Sequence, residues 1–223
     1  LYAEAVVFAL EKIYCIAPSF RAERSKTSRH LTEYWHAETE VAWITFDELL
    51  ELAEGLIKHI VKTVLKENKK ELKLLGRDTK KLEPTIKKKF PRITYTEALE
   101  LLDKKKGMKI LWGKDLRTIE EEKLTELYDT PVFVTNYPKE IKAFYMLEDK
   151  NNPKVVECFD CLAPEGQGEV IGGSIREIDG EKLTQKLKKQ GEKTEDYEWY
   201  LDLRKYGSVP HGGFGMGVER IIK

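Results

Sequence analysis

Two β-forming runs separated by a short basic loop constrain this chain most. IYCIAPSF (13–20) and EYWHAETEVAWIT (33–45) are rich in β-branched and aromatic residues, and the second alternates polar with apolar positions. The basic loop 24–32 joins the two runs into an antiparallel hairpin. Arg24, Lys26, Arg29 and His30 concentrate positive charge in that loop. At its mouth, Arg21 and Glu23 lie two residues apart, on one face of a strand.

The remaining segments fit around such a sheet. Residues 1–11 read as the end of an apolar helix. From Phe46 to about Leu75, apolar residues recur at helical spacing, with Asp47 placed as a cap. Residues 76–92 are lysine-rich with two prolines and read as a loop whose KKK run is a solvated face in preference to an RNA contact. Residues 94–107 form a short helix ended by Gly107, so a helical segment occupies about 46–130. Strands are expected at 130–138, 142–147, 155–162 and 168–177, then a helix at 179–191. Strands without regularly alternating helices predict an α+β fold with an antiparallel β-sheet flanked by helices.

Composition excludes several classes. Lys+Arg and Asp+Glu are both 39, so the neutral chain has no global nucleic-acid footprint. No apolar run approaches the roughly 18 residues of a membrane span. Three cysteines give no disulfide framework, which fits a reducing, cytoplasmic setting. Cys158 and Cys161 form a C-x-x-C, but on a strand residues three apart face opposite ways, so a metal or redox pair is not expected. Neither a P-loop nor a Rossmann fingerprint is present.

The residue types suit an anionic ligand. Arg21 offers a planar fork for carboxylate or phosphate, and Tyr34 a ring for stacking. HGGFGMGVER (211–220) brings Arg220 behind glycines at 212, 213, 215 and 217, which permit close backbone approach. Asp160 and Glu169, on apparently neighbouring strands, suit Mg²⁺, which favours one or two carboxylates plus substrate phosphates. Arg176 is the candidate reader of a substrate side chain. An ionised carboxylate attacking the α-phosphorus of ATP needs positioning and charge neutralisation, and no general base.

FRAERSKTSRHLTEYWHAETEVAW (20–43) resembles motif 2 of the class II aminoacyl-tRNA synthetases of the archaeal asparaginyl/aspartyl type, and GGFGMGVER resembles their motif 3. TNYPKEIKAFYM, LAPEGQGEVIGGSIRE and DYEWYLDLRKYGSVPHGGFG extend the resemblance over most of the chain outside the helical stretch. The resemblance implies the catalytic core of that class, with ATP and Mg²⁺ as cofactors. Arg21 would hold the amino-acid carboxylate and α-phosphate, with Ala22, Glu23, Leu31 and the Gly217–Val218–Glu219 backbone along the nucleotide. Arg29 and His30 would meet the outer phosphates, Tyr34 would stack the adenine, and Arg220 would cap the γ-phosphate. Glu169 with Asp160 would bind the metal, while Glu38, Gly172 and Arg176 would line the amino-acid site.

Three positions favour asparagine over aspartate. Ala3 stands where aspartyl enzymes carry a lysine, Glu38 where they carry Asp, and Lys142-Ala143 where they carry Arg-Pro. Glu38 could accept from an amide and would repel a second acid. Ile175 replaces the usual Gln, and Gly172 a frequent Ser. Motif 1 and an N-terminal OB-fold are expected outside residues 1–223, which read as a catalytic domain truncated at both ends, homodimeric in the full-length protein. The expected partners are asparagine and tRNA(Asn). The alternatives are an aspartyl-tRNA synthetase, a stand-alone paralogue converting aspartate to free asparagine, and a non-enzymatic RNA-binding or regulatory module.

Overall fold

The computed structural model describes residues 1–22 and 31–223. Helix α1 (Tyr2–Leu10) leads into β1 (Lys12–Phe20), which pairs antiparallel with β2 (Glu33–Ala42) from Lys12↔Val41 to Phe20↔Glu33. Helix α2 (Phe46–Glu67) starts two residues earlier than an Asp47 cap would allow. Thr45 is the cap: its hydroxyl accepts the Glu48 N–H, and the Glu48 carboxylate accepts the Thr45 N–H at 2.8 Å. Asp47 instead accepts a bond from Arg92 at 2.9 Å.

The helix expected to reach Leu75 breaks at Asn68, whose φ of −110° and ψ of 36° leave the helical region before α3 (Lys69–Leu74). The expected loop 76–92 winds into a 3₁₀ turn at Thr79–Leu82 and α4 (Glu83–Lys87), where Pro84 fits the first turn because it needs no N–H partner there. Strand β3 (Arg92–Thr94) precedes α5 (Tyr95–Lys106), which opens on a Thr94–Glu97 capping box and ends at left-handed Gly107, φ 66°. Then come α6 (Thr118–Thr125), β4 (Val132–Thr135), β5 (Cys158–Ala163), β6 (Gly168–Ile175), α7 (Gly180–Lys189), α8 (Glu198–Lys205), β7 (His211–Gly217) and α9 (Val218–Ile222).

Residues 142–147 are not a strand. Met146 donates to the Ala143 carbonyl in a turn and only bridges Arg176. That irregular path lets Lys142 reach Asp160 while Phe144 packs among Leu183, Leu187 and Tyr200.

Among the described residues the strands form one seven-stranded sheet in the order β1-β2-β7-β6-β5-β4-β3, antiparallel except for the β3–β4 pair. Leu49, Leu50, Ala53 and Ile57 of α2 pack one face against Phe159, Cys161, Ile171, Phe214 and Met216. On the other face α5 places Tyr95, Ala98 and Leu102 over Val132, Val134, Cys158 and Leu162. Cys158 and Cys161 therefore occupy opposite cores, and burial raises both thiols, Cys158 to about 12. They form no pair. Because α5 and α6 cover that second face from β3 only as far as the start of β6, where the Glu169 N–H donates to Glu121, β2, β7 and the rest of β6 present theirs to a cavity. No helix among the described residues is long and apolar enough to cross a membrane.

Candidate active site

The cavity measures about 520 Å³ and sits over the middle of the sheet. Strand alternation selects its walls: Tyr34, His36, Glu38 and Glu40 point up from β2, with Gly213, Gly215 and Gly217 opposite on β7. Two of these glycines are steric necessities. A Cβ at Gly213 would collide with the Glu40 carboxylate and the Thr39 carbonyl, and one at Gly215 with the His36 ring. At Gly217 the nearest atoms belong to Arg220 and Tyr34, at 3.6 and 4.0 Å, leaving a slot between an aromatic ring and a guanidinium stem.

The nucleotide-side residues of the sequence reading converge at that end. Arg21 lies just past β1, its N–H bonded to the Thr32 carbonyl at 2.8 Å. Its guanidinium sits 4.8 Å from the Tyr34 ring centre and donates to the Tyr34 hydroxyl at 3.3 Å. Arg220 enters from α9, 3.4 Å from Glu169. Glu219 ties α9 to β2 by accepting the Trp35 N–H at 2.9 Å, which sets Arg220 across from Tyr34. Leu31 lines the cavity, whereas Ala22 and Val218 do not. Glu23, Arg29 and His30 lie outside the described residues.

Asp160 and Glu169 come together through an irregularity no alternation rule predicts. The β5–β6 register shifts between Cys161↔Ile171 and Leu162↔Glu169, which turns Glu169 onto the face of Asp160. Over Gly172 their oxygens converge, 2.9 and 3.5 Å from where a Cβ would stand. Gly172 thus serves as open floor beneath the two acids. Burial raises the Glu169 pKa, the Asp160 charge raises it further, and Arg220 and Lys142 offset part of that. Two converging hard oxygens, one destabilised as an anion, fit a divalent cation.

At the other end, residues named from the sequence meet partners that were not: Glu40, Ser174, His36 and Tyr137. Arg176 is largely buried, at 12% exposure, and is doubly bound by Glu40 at 2.8 and 3.1 Å, while its third nitrogen donates to the Ser174 hydroxyl at 2.6 Å. Lys142 donates to Asp160 at 2.7 Å and lies 3.9 Å from the Tyr137 ring centre. Glu38 is half exposed, and its pKa is lowered chiefly by a hydrogen bond from His36 at 3.0 Å. Ala3 also lines the cavity and brings no cation. His36 and Glu40 were legible in principle, since any face that holds Glu38 holds both.

Behind this wall Glu4 accepts from Tyr200 and His211 at 2.9 Å and from Arg204 at 2.5 Å, all four buried. Burial alone would raise the Glu4 pKa, but His211 and Arg204 bring it down to about 2. Glu4, Glu40 and His211 place ligand atoms within 4.8 Å of one another, yet Arg204 and Arg176 already neutralise the two acids. This is an ion-pair network.

The family model described as tRNA synthetases class II (D, K and N) matches residues 1–223. The chain belongs to this family. Among its relatives, the asparagine–tRNA ligase of Pyrococcus abyssi is 53% identical over 222 residues, covering 100% of this chain and 51% of that protein. The crystal structure of Pyrococcus horikoshii asparaginyl-tRNA synthetase complexed with asparaginyl-adenylate superposes with a TM-score of 0.96 at 51% identity, over 99% of this chain and 50% of that one. The Entamoeba histolytica enzyme in complex with the same adenylate gives 0.88 at 35% identity, over 99% and 50%. The chain spans about half the length of the curated relatives it matches. As a class II synthetase core, it holds its cavity where the motif 2 hairpin (β1–β2) meets the motif 3 strand and helix (β7–α9).

Proposed function

We propose that this chain is the catalytic core of an asparagine–tRNA ligase, which adenylates asparagine with ATP and transfers it to the 3′ end of tRNA(Asn). The carrying observation is the division of one cavity into two ends: a Tyr34–Arg220 slot with Arg21 beside it, and a Glu38–Glu40–Arg176 wall. The slot accepts a planar base on the Tyr34 ring, with Arg220 across from it to cap the γ-phosphate. Arg21 then lies where the α-phosphate and the attacking carboxylate meet, so it neutralises charge that builds in the transition state. In-line attack forms the acyl–phosphate bond and releases pyrophosphate. Asp160 and Glu169 would hold Mg²⁺, which when bound screens the phosphate oxygens.

Asparagine is favoured by how the charges pair. Glu40 compensates Arg176 and Asp160 compensates Lys142, and among the described residues His36 is the ion-pair partner of Glu38, with the Arg176 charge acting on it more weakly. An amide can donate to Glu38, while a substrate carboxylate would meet an acid that no lysine or arginine pairs directly among the described residues. A cytoplasmic, homodimeric full-length protein accompanies this reading. The test is ATP–pyrophosphate exchange in the full-length protein with Arg21→Ala and Arg220→Ala. Each should lose exchange almost completely, and near-normal exchange in both would overturn the nucleotide assignment.

A further inference from the structure

The neutral chain is not uniformly neutral. Residues 58–89 hold twelve Lys and Arg against four Asp and Glu, a net +8 with His neutral, so the remainder carries −8. They form the second half of α2, then α3, the 3₁₀ turn and α4. Lys62, Lys69, Lys70, Lys73 and Lys80 are exposed, and no ion pair engages them among the described residues. Lys66 reaches only Glu67, at 3.9 Å, with both side chains in water. The KKK run behaves differently: Lys87 and Lys88 are taken up by Glu83 and Asp129 at 2.5 Å each. Two lysines of that run are thus partnered, and most of the free charge lies upstream on α2 and α3.

The placement of this segment is fixed. Arg77 and Lys81 grip Glu165 at the turn between β5 and β6, with Arg77 Nη1 and Lys81 Nζ at 3.0 and 3.1 Å from its Oε2. Four residues further along, Glu169 lines the cavity. Four residues of fully extended chain span at most about 14 Å, so the Arg77–Lys81 end of the arm is anchored within that reach of Glu169, while α2 packs on the sheet face opposite the cavity.

We infer that residues 58–89 are a docking arm for the phosphate backbone of the RNA whose 3′ end enters the cavity, an inference that rests on the ligase reading above. Lysine is the suitable cation for this task. Its ammonium is a compact point charge on a flexible stem, which tracks a backbone without reading bases. No native ion pair must be broken to free Lys69, Lys70 or Lys73. The acidic remainder repels RNA elsewhere, so the arm steers the polyanion to one side of the molecule.

Helix α3 buries none of its residues, and alanine keeps helix propensity, so Lys69→Ala, Lys70→Ala and Lys73→Ala can be combined without disturbing the core. In the full-length protein this triple variant should leave asparagine-dependent pyrophosphate exchange within about twofold of wild type. Its KM for tRNA should rise about tenfold near 0.1 M salt, and the log–log salt dependence of tRNA binding should become shallower by about 2, the sum of roughly 0.7–0.9 for each of three phosphate contacts. The triple Lys→Arg variant should keep wild-type values. An unchanged KM and salt slope in the alanine variant would overturn the arm, and so would loss of exchange, which would place these lysines in activation. Wild-type protein without exchange would instead overturn the ligase reading. Salt-dependent tRNA binding by wild type and variant would then decide the arm alone.

Discussion

Glu40→Gln isolates the pair that holds the substrate-side guanidinium. Glu40 is 5% exposed and binds Arg176 through both oxygens, at 2.8 and 3.1 Å. Glutamine keeps the shape and one acceptor but turns an NH₂ toward a guanidinium N–H and leaves the buried charge of Arg176 uncompensated. Breaking one side of a buried ion pair costs about 3–5 kcal/mol. The cavity admits water and Ser174 still accepts from Arg176, so about 3 kcal/mol is the appropriate figure here. In a folded unit of this size each kcal/mol shifts Tm by about 2–4 °C, giving a fall of roughly 6–12 °C. Thermal unfolding of the full-length variant, paired with asparagine KM in pyrophosphate exchange, reads both consequences. KM should rise at least about tenfold as Arg176 loses its fixed orientation. The double variant Glu40→Gln/Arg176→Gln removes both charges and should recover most of the lost Tm without recovering KM. A single-variant shift below about 2 °C, or no recovery in the double variant, would refute the argument that this pair is buried and mutually dependent.

Three further outcomes follow from the same geometry. Because the Glu4 pKa is held at about 2 in the folded state against 4.5 as its ordinary value, its stabilisation is fully present above pH 4.5 and is lost as pH falls toward 2. That shift corresponds to about 3 kcal/mol, so an acid titration of stability should steepen in this window, and Glu4→Gln should flatten it. Glu169→Gln removes one of two converging charges over Gly172 and should raise the Mg²⁺ concentration needed for half-maximal exchange, which a Mg²⁺ titration reads. Glu38→Gln should narrow the preference for asparagine over aspartate, and an unchanged kcat/KM ratio would remove Glu38 from amino-acid selection.

Much of the fold was legible because its signals are local. The β1–β2 hairpin followed from two strand-forming runs flanking one basic loop, and the opposed cysteines from simple alternation. What escaped depends on partners distant in sequence. The irregular 142–147 segment answers a tertiary demand, since Lys142 must reach Asp160 eighteen positions away. The register shift that turns Glu169 toward Asp160 leaves no trace in alternation. Arg176 was identified as a reader of the substrate side chain, but its partner Glu40 lies 136 positions away and needed the β2–β7–β6 order to bring it near. The Thr45 cap could have been found, because Thr-Phe-Asp-Glu is a capping-box pattern.

The proposed selection of the amide over the acid rests on Glu38, which among the described residues has His36 as its ion-pair partner and gains no cation from Ala3. It is tested most directly by asparagine- and aspartate-dependent pyrophosphate exchange with the full-length wild-type protein under identical conditions. A like-charge contact of several kcal/mol, at about 1.4 kcal/mol per tenfold, predicts a kcat/KM for asparagine at least about 100-fold higher. Equal or greater kcat/KM with aspartate would contradict it.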